Sequence, residues 1–335
     1  ELVAKTNSLA SVALPDIPLS IANALDPLVP TTPGQVAALN PQLLALFGQL
    51  QILPDIQSVS NALLQLSPGF NNALPMSSRI SMDNAFDSVH ARLEAMSRIG
   101  FLGAQEANNN TNRDYELFNG VNYGDRNEIT LIGQYGLWAK GTATLLDQHK
   151  RNFVEGYKAD STGIAIGYDW QPNDFATVGI GQSFTKVNTK DYTDQQNTVK
   201  VNSTQTTLYS TFVPYQACQE NSTQTIYLDT MLAIASHKYE TIRNIVIGNI
   251  TAQSKADFYG WHYGGQADLG YAFVSADNYL VAPIARFRYT WLDVANYSET
   301  GAGGLSLTVK NEPIDEAVAG LGIRLAVKRD FIQAI

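Results

Sequence analysis

Cysteine is almost absent from this chain of 335 residues: Cys218 stands alone, which excludes an internal disulfide framework and a Cys-based zinc site. Beside Gln219 and Glu220 it reads as a loop thiol. Charge is scarce too, at 16% of residues against the roughly 25% of ordinary soluble domains, and the formal balance is −9. With no basic stripe to meet phosphates, nucleic acid is excluded as a partner. No apolar run reaches the ~18 residues that a transmembrane helix needs, so crossing a membrane by a helix is excluded and crossing by strands is not. The histidines His90, His149, His237 and His262 show no metal-ligand spacing, and His-Glu-x-x-His, Gly-x-Ser-x-Gly and a phosphate-cradling glycine loop are missing. The residues therefore predict no enzyme, no metal or other cofactor and no small-molecule substrate. No basic, apolar leader follows Glu1, so any signal peptide is expected outside this sequence.

What the chain does carry is tyrosine (16), phenylalanine (13) and glycine (25) in strand-like order. The first 80 residues are the exception, because Pro27, Pro30, Pro33, Pro41, Pro54, Pro68 and Pro75 restrict them to short helices. Within them "IANAL" at 21–25 is echoed by "VSNAL" at 59–63. Next, Met82, Phe86, Val89, Leu93 and Met96 fall 4, 3, 4 and 3 apart, which predicts an amphipathic helix over 81–100 with Gly100 as its stop. Its other faces hold Asp83, Asp87, Arg92, Glu94 and Arg98. Residues 101–127, with Asn108, Asn109, Asn110 and Thr111, read as a polar connector.

From residue 128 to 335 the pattern is mainly β, in eight segments centred on 130–146, 158–171, 175–189, 198–215, 224–241, 251–274, 279–294 and 314–329. Short turns at Gln171–Asp174 and Ala276–Asn278 alternate with longer loops, as in an antiparallel up-and-down barrel. The alternation within segments is unusual. In "STGIAIGYDW", Ile164, Ile166, Tyr168 and Trp170 share one face, while Gly163, Ala165, Gly167 and Asp169 share the other. Further along, Trp261 and Tyr263 oppose His262 and Asp268, Phe287 and Trp291 oppose Arg286 and Arg288, and Leu321 to Val327 oppose Arg324. A soluble sandwich gains nothing from glycine on its wet face, whereas a membrane barrel would turn its large apolar face to lipid and its small or charged face to a lumen.

Several stretches resemble the C-terminal translocator of bacterial autotransporters, the type V secretion system. They are "ALLQLSPGFNNAL" at 62–74, "FDSVHARLEAM" at 86–96, "GLWAKGTATLLDQ" at 136–148, "YKADSTGIAIGYDW" at 157–170, "FATVGIGQSFT" at 175–185, "LVAPIARFRYTWLDVANYSETG" at 280–301 and "AGLGIRLAVK" at 319–328. The resemblance implies a transmembrane β-barrel of about twelve strands in the outer membrane, an N-terminal passenger at the cell surface, and an α-helix through the pore. It also implies membrane lipids, the barrel assembly machinery and the chain's own passenger as partners. Only about eight strands are counted here, so the closing strands are expected to lie beyond this sequence.

On that reading residues 1–80 form the passenger end or junction, and 81–100 form a pore helix whose 19 residues from 81 to 99 span about 28 Å, which matches a bilayer core. Asp169, Asp229, Asp268, Arg286, Arg288 and Arg324 are expected to line the pore. Ile164, Ile166, Tyr168, Trp170, Trp261, Tyr263, Phe287 and Trp291 are expected to face lipid. The alternatives are an adhesin that works through its loops and N-terminal region, and a diffusion porin. Self-cleavage at Asn71–Asn72 or Asn108–Asn110 is disfavoured because neither site lies in the helix. "GAGG" at 301–304 reads as a flexible loop, and the glycosylation-like triplet Asn202-Ser203-Thr204 as chance.

Overall fold

The computed structural model describes residues 8–68, 73–107, 128–131, 135–150, 156–173, 175–193, 195–219, 222–275 and 279–327. Four short helices come first: α1 (Ile17–Leu25), α2 (Pro33–Ala38), α3 (Pro41–Gln51) and α4 (Ile56–Leu64). Several of the prolines that break the apolar runs start these helices, since the first turn has no partner for its N–H groups. Pro33 follows Thr32, the N-cap of a capping box with Gln35, and Pro41 follows Asn40, whose side chain accepts from Gln42 N–H. Asp55 caps α4 by accepting from Ser58 N–H at 2.7 Å. These hydrogen bonds hold the fully exposed Asp55 carboxyl below its ordinary value.

The apolar faces of the helices meet in a dry cluster. Ala22, Leu46, Phe47, Leu50, Val59, Ala62 and Leu63 pack with Leu9 and with Ile245 and Ile247 of a long hairpin. The echoed segments sit on α1 and α4, and Ala22 and Ser60, at matching places in the two copies, are both fully buried. Asp26 ties down the start of the unit by accepting from Ser8 Oγ, Leu9 N–H (2.6 Å) and Ala10 N–H (3.1 Å). Burial raises its carboxyl pKa, and the three hydrogen bonds outweigh that and leave it below the ordinary value.

A helix of 35 residues follows, α5 (Ala73–Ala107). It starts eight residues earlier than the periodicity predicts because Pro75 falls within its first turn, where no N–H is needed. It also runs through Gly100: a helical glycine costs about 1 kcal/mol and stops a helix only where the backbone turns left-handed. The first of the eight predicted strand segments is really two strands, β1 (Glu128–Leu131) and β2 (Tyr135–Gln148), paired antiparallel. The others match β3 (Tyr157–Asn173), β4 (Ala176–Asp191), β5 (Thr198–Gln219), β6 (Ser222–Ile247), β7 (Ile250–Ser275), β8 (Tyr279–Val294) and, after a small hairpin of β9 (Tyr297–Ser298) and β10 (Thr308–Val309), β11 (Ile314–Val327). Cys218 lies in β5, opposite Thr223, and not in a loop, because pairing continues to the tip of the β5–β6 hairpin. Asn71–Asn72, the 108–127 part of the connector, Ala276–Asn278 and the side chain of Arg98 lie outside the described residues.

The sheet is an antiparallel meander in the order β1-β2-β3-β4-β5-β6-β7-β8-β11. Inward residues of strands from β2 to β11 touch α5, which requires the sheet to curl around the helix. Connections near Asn173, Gln219 and Ser275 mark one end. At the other end β6 and β7 extend for 26 residues each to a tight turn at Gly248–Asn249, and the α1–α4 unit packs there.

Candidate functional site: the inward strand face and its helix

The strand interior is neither an open channel nor a uniform apolar core. At its middle, Met82, Phe86, Val89 and Leu93 of α5 pack with Trp138, Ala165, Tyr209 and Met231 from four strands. Trp138 Nε1–H donates to Tyr209 Oη at 2.6 Å. The space next to Gly167, expected to stand open, is filled by Trp138: a Cβ added there would lie 2.3 Å from the indole. Nearer the capped end, Ser77 and Ser78 of α5 exchange hydrogen bonds with Thr189 (2.8 Å) and Tyr239 (2.7 Å). Asn84 donates to Ser161 (3.0 Å) and accepts from Thr144 (2.7 Å).

Ion pairs join the helix to three different strands. Arg92 makes a bidentate contact with Asp169 at 2.8 and 3.0 Å, both side chains being almost fully buried. Gly136 makes room for it, since a Cβ at that position would sit 2.1 Å from Asp169 Oδ1 and 2.3 Å from Arg92 Nη2. Asp83 pairs with Arg288, and Glu94 with Arg324 at 2.7 Å. Arg286 binds Asp268 at 2.7 and 2.8 Å and also reaches His90 on the helix at 3.2 Å. Of the residues expected to line a pore, Asp229 alone is joined to no helix residue by the described bonds; it accepts from Thr211. Asp87 is exposed. A further pair, Arg79 with Glu316 at 2.8 Å, escaped the sequence reading because Arg79 precedes the predicted helix.

The opposite face of the strands is the reverse. Ile164, Ile166, Tyr168, Trp170, Trp261, Tyr263 and Phe287 all stand exposed on it. Trp291 is half covered by Tyr263, with ring centroids 5.5 Å apart. Along β7 the outward row runs Tyr259, Trp261, Tyr263, the half-buried Ala267, Leu269, Tyr271, Phe273, and then changes toward the capped end to Asp257, Lys255 and Gln253. That change on one continuous strand marks the edge of an apolar band, and the aromatics collect near its limits.

The family is settled by residues 137–332, which match the model of the autotransporter β-domain. The chain belongs to the autotransporter family. Similar proteins are outer membrane protein A of Rickettsia conorii, 26% identical over 196 residues, and outer membrane protein B of Rickettsia prowazekii, 30% identical over 200 residues; each alignment covers 58% of this chain. Outer membrane protein B of Rickettsia rickettsii is 30% identical over 198 residues, 57% of this chain. The chain spans only about a tenth of these relatives, 10, 11 and 12% respectively. As an autotransporter β-domain, residues 137–332 belong to the bacterial outer membrane in a translocator role.

At the capped end of this autotransporter a second buried pair secures the helical unit. Arg243 holds Glu299 at 2.5 and 3.0 Å and donates to the carbonyls of Gln65 (2.8 Å) and Leu305 (2.9 Å). Burial raises the Glu299 carboxyl pKa, and its bonds from Arg243, Ser254 and Leu307 N–H outweigh that and hold it below the ordinary range. The "GAGG" stretch is a docking element: Gly304 N–H donates to Gln42 at 2.6 Å, and Leu305 is buried in the helical cluster. His237 and His262 lie 3.4 Å apart on the inward face, and among the described residues no group of three metal ligands exists.

Proposed function

We propose that α5 is the pore helix of this translocator, filling the barrel and tethering the α1–α4 unit, the passenger end or junction, at the cell-surface side. One observation carries the reading: from Ser77 to Glu94 α5 is bonded to the inward strand face, through Ser77–Thr189, Asn84–Ser161, Arg92–Asp169 and Glu94–Arg324. At 1.5 Å per residue α5 is roughly 52 Å long, enough to cross the bilayer core and emerge at both ends. Asp169, Asp229, Asp268, Arg286, Arg288 and Arg324 then line the pore, and the exposed aromatic and aliphatic row meets lipid. A diffusion porin fits less well, since Trp138, Tyr209 and Phe86 occupy the middle of the interior. The barrel assembly machinery and outer-membrane lipids are the partners this role requires.

The experiment is planar-bilayer conductance of the reconstituted chain with and without residues 73–99, together with the temperature at which the compact form is lost on SDS gels. Removal is expected to raise conductance and lower that temperature; if neither changes, α5 is not the plug.

A further inference from the structure

The outer face of strands β3–β7 carries a groove of about 630 Å³ that the translocator role does not use. Its outward side chains lie on two outer register rows. Thr162, Lys186, Asn202, Lys238 and Tyr259 are successive partners across the five strands. Ile164, Phe184, Thr204 and Ser236 form the next row, toward the apolar band. We infer that this groove binds the phosphorylated headgroup of an outer-leaflet lipid, with Lys186 and Lys238 holding the phosphate and Ile164 and Phe184 meeting the first part of its hydrocarbon.

Three observations lead there. First, Lys186 and Lys238 are two strands apart on one row, so their Cα atoms are roughly 10 Å apart and both ammonium groups can reach one phosphate between them. Second, their row holds no carboxylate, and Asn202, Thr204 and Ser236 supply neutral hydrogen-bond donors beside them. Lys186 makes no ion pair among the described residues; Lys238 makes one, with Glu240 at 3.2 Å, but both side chains are about 40% exposed, where such a pair contributes little and leaves two N–H donors free. Asp160, Glu240 and Asp257 sit one row farther from the apolar band. Third, the groove lies at the edge of that band, with exposed Ile164 and Phe184 on its apolar side. A free anion would use the lysines alone, whereas a lipid satisfies the lysines, the hydroxyls and the apolar wall together.

The inference rests on the outer face meeting the membrane, and not on α5 filling the pore. It is tested by native mass spectrometry of the full chain released from detergent containing bis-phosphorylated lipid A, dephosphorylated lipid A or inorganic phosphate. Bound phosphorylated lipid is expected on the wild-type chain and to fall about tenfold in Lys186→Gln/Lys238→Gln, with the dephosphorylated lipid bound weakly by both. Equal retention by the double variant overturns the inference. So does an equal fall in Lys158→Gln/Lys190→Gln, or displacement by millimolar inorganic phosphate. A shift to the slow-migrating form on SDS gels reports misfolding; Lys186→Gln alone then carries the test, with a fall of several-fold expected. Lipid retention is read separately from conductance, so failure here leaves the pore-helix reading standing.

Discussion

The α1–α4 unit and the strand region solve opposite problems with similar residues. In the helical unit, leucine, valine and phenylalanine close on one another and water meets the polar side. In the strands most large apolar residues stand outside, while the interior sets glycine, hydroxyls, tyrosine and paired charges around an apolar cluster at Trp138 and Met231. On the proposed reading the difference is one of solvent: lipid removes any reason to hide an apolar side chain, and it leaves every polar group to find a partner within the protein. Where the regions meet, at Arg243, Glu299 and Leu305, both devices occur side by side.

The comparison breaks most severely at the buried ion pair. Asp169→Ala strands the Arg92 charge inside the sheet and is expected to cost about 3–5 kcal/mol, read as lost heat-resistance on SDS gels; Gly136→Ala pushes the same pair apart and is expected to move in the same direction. In the helical unit the counterpart is Leu63→Ala, expected to cost about 2–5 kcal/mol and seen as faster proteolysis of residues 8–68 while the strand fragment stays resistant. Ile166→Arg on the outer face is expected to cost about 2–4 kcal/mol when folding is measured in bilayers, whereas Ile52→Arg on the exposed side of the helical unit is expected to stay within about 0.5 kcal/mol. Equal costs for the two arginines would refute the opposition of solvents.

The smallest effect is acid sensitivity. Asp26 and Glu299 have folded-state pKa values below their ordinary ones. Their stabilisation is therefore complete above the ordinary carboxylate range near 4 and is lost as pH falls through the lowered values. Protease protection of residues 8–68 is expected to be flat above about pH 5 and to decline below pH 4, with a shallower decline in Asp26→Asn. The SDS-gel transition of the strand region is the control.

Much of this was legible beforehand for a local reason. The period-2 alternation of 161–170 exposes which residues share a face, and the spacing of Met82, Phe86, Val89 and Leu93 marks the helix stripe that meets the strands. Proline positions bound the short helices. Less legible were features that depend on distant partners. Gly167 looked like empty space because Trp138, which fills it, lies 29 residues away along the chain, and Gly136 gave no sign of the ion pair it accommodates because Arg92 lies 44 residues away. The β1–β2 hairpin was hidden inside one apolar segment, and "GAGG" gave no sign that Gln42 would receive it.

By itself, then, the sequence determined which faces are apolar, roughly where helix gives way to strand, and which family the chain resembles, since periodicity and motif are properties of neighbouring residues. Tertiary structure alone decided which carboxylate meets which arginine, that the small-residue face is filled and not hollow, and that the N-terminal helices dock on the β6–β7 hairpin. Those choices are set by register and by the curl of the sheet around α5, which bring together residues that nothing in their spacing connects.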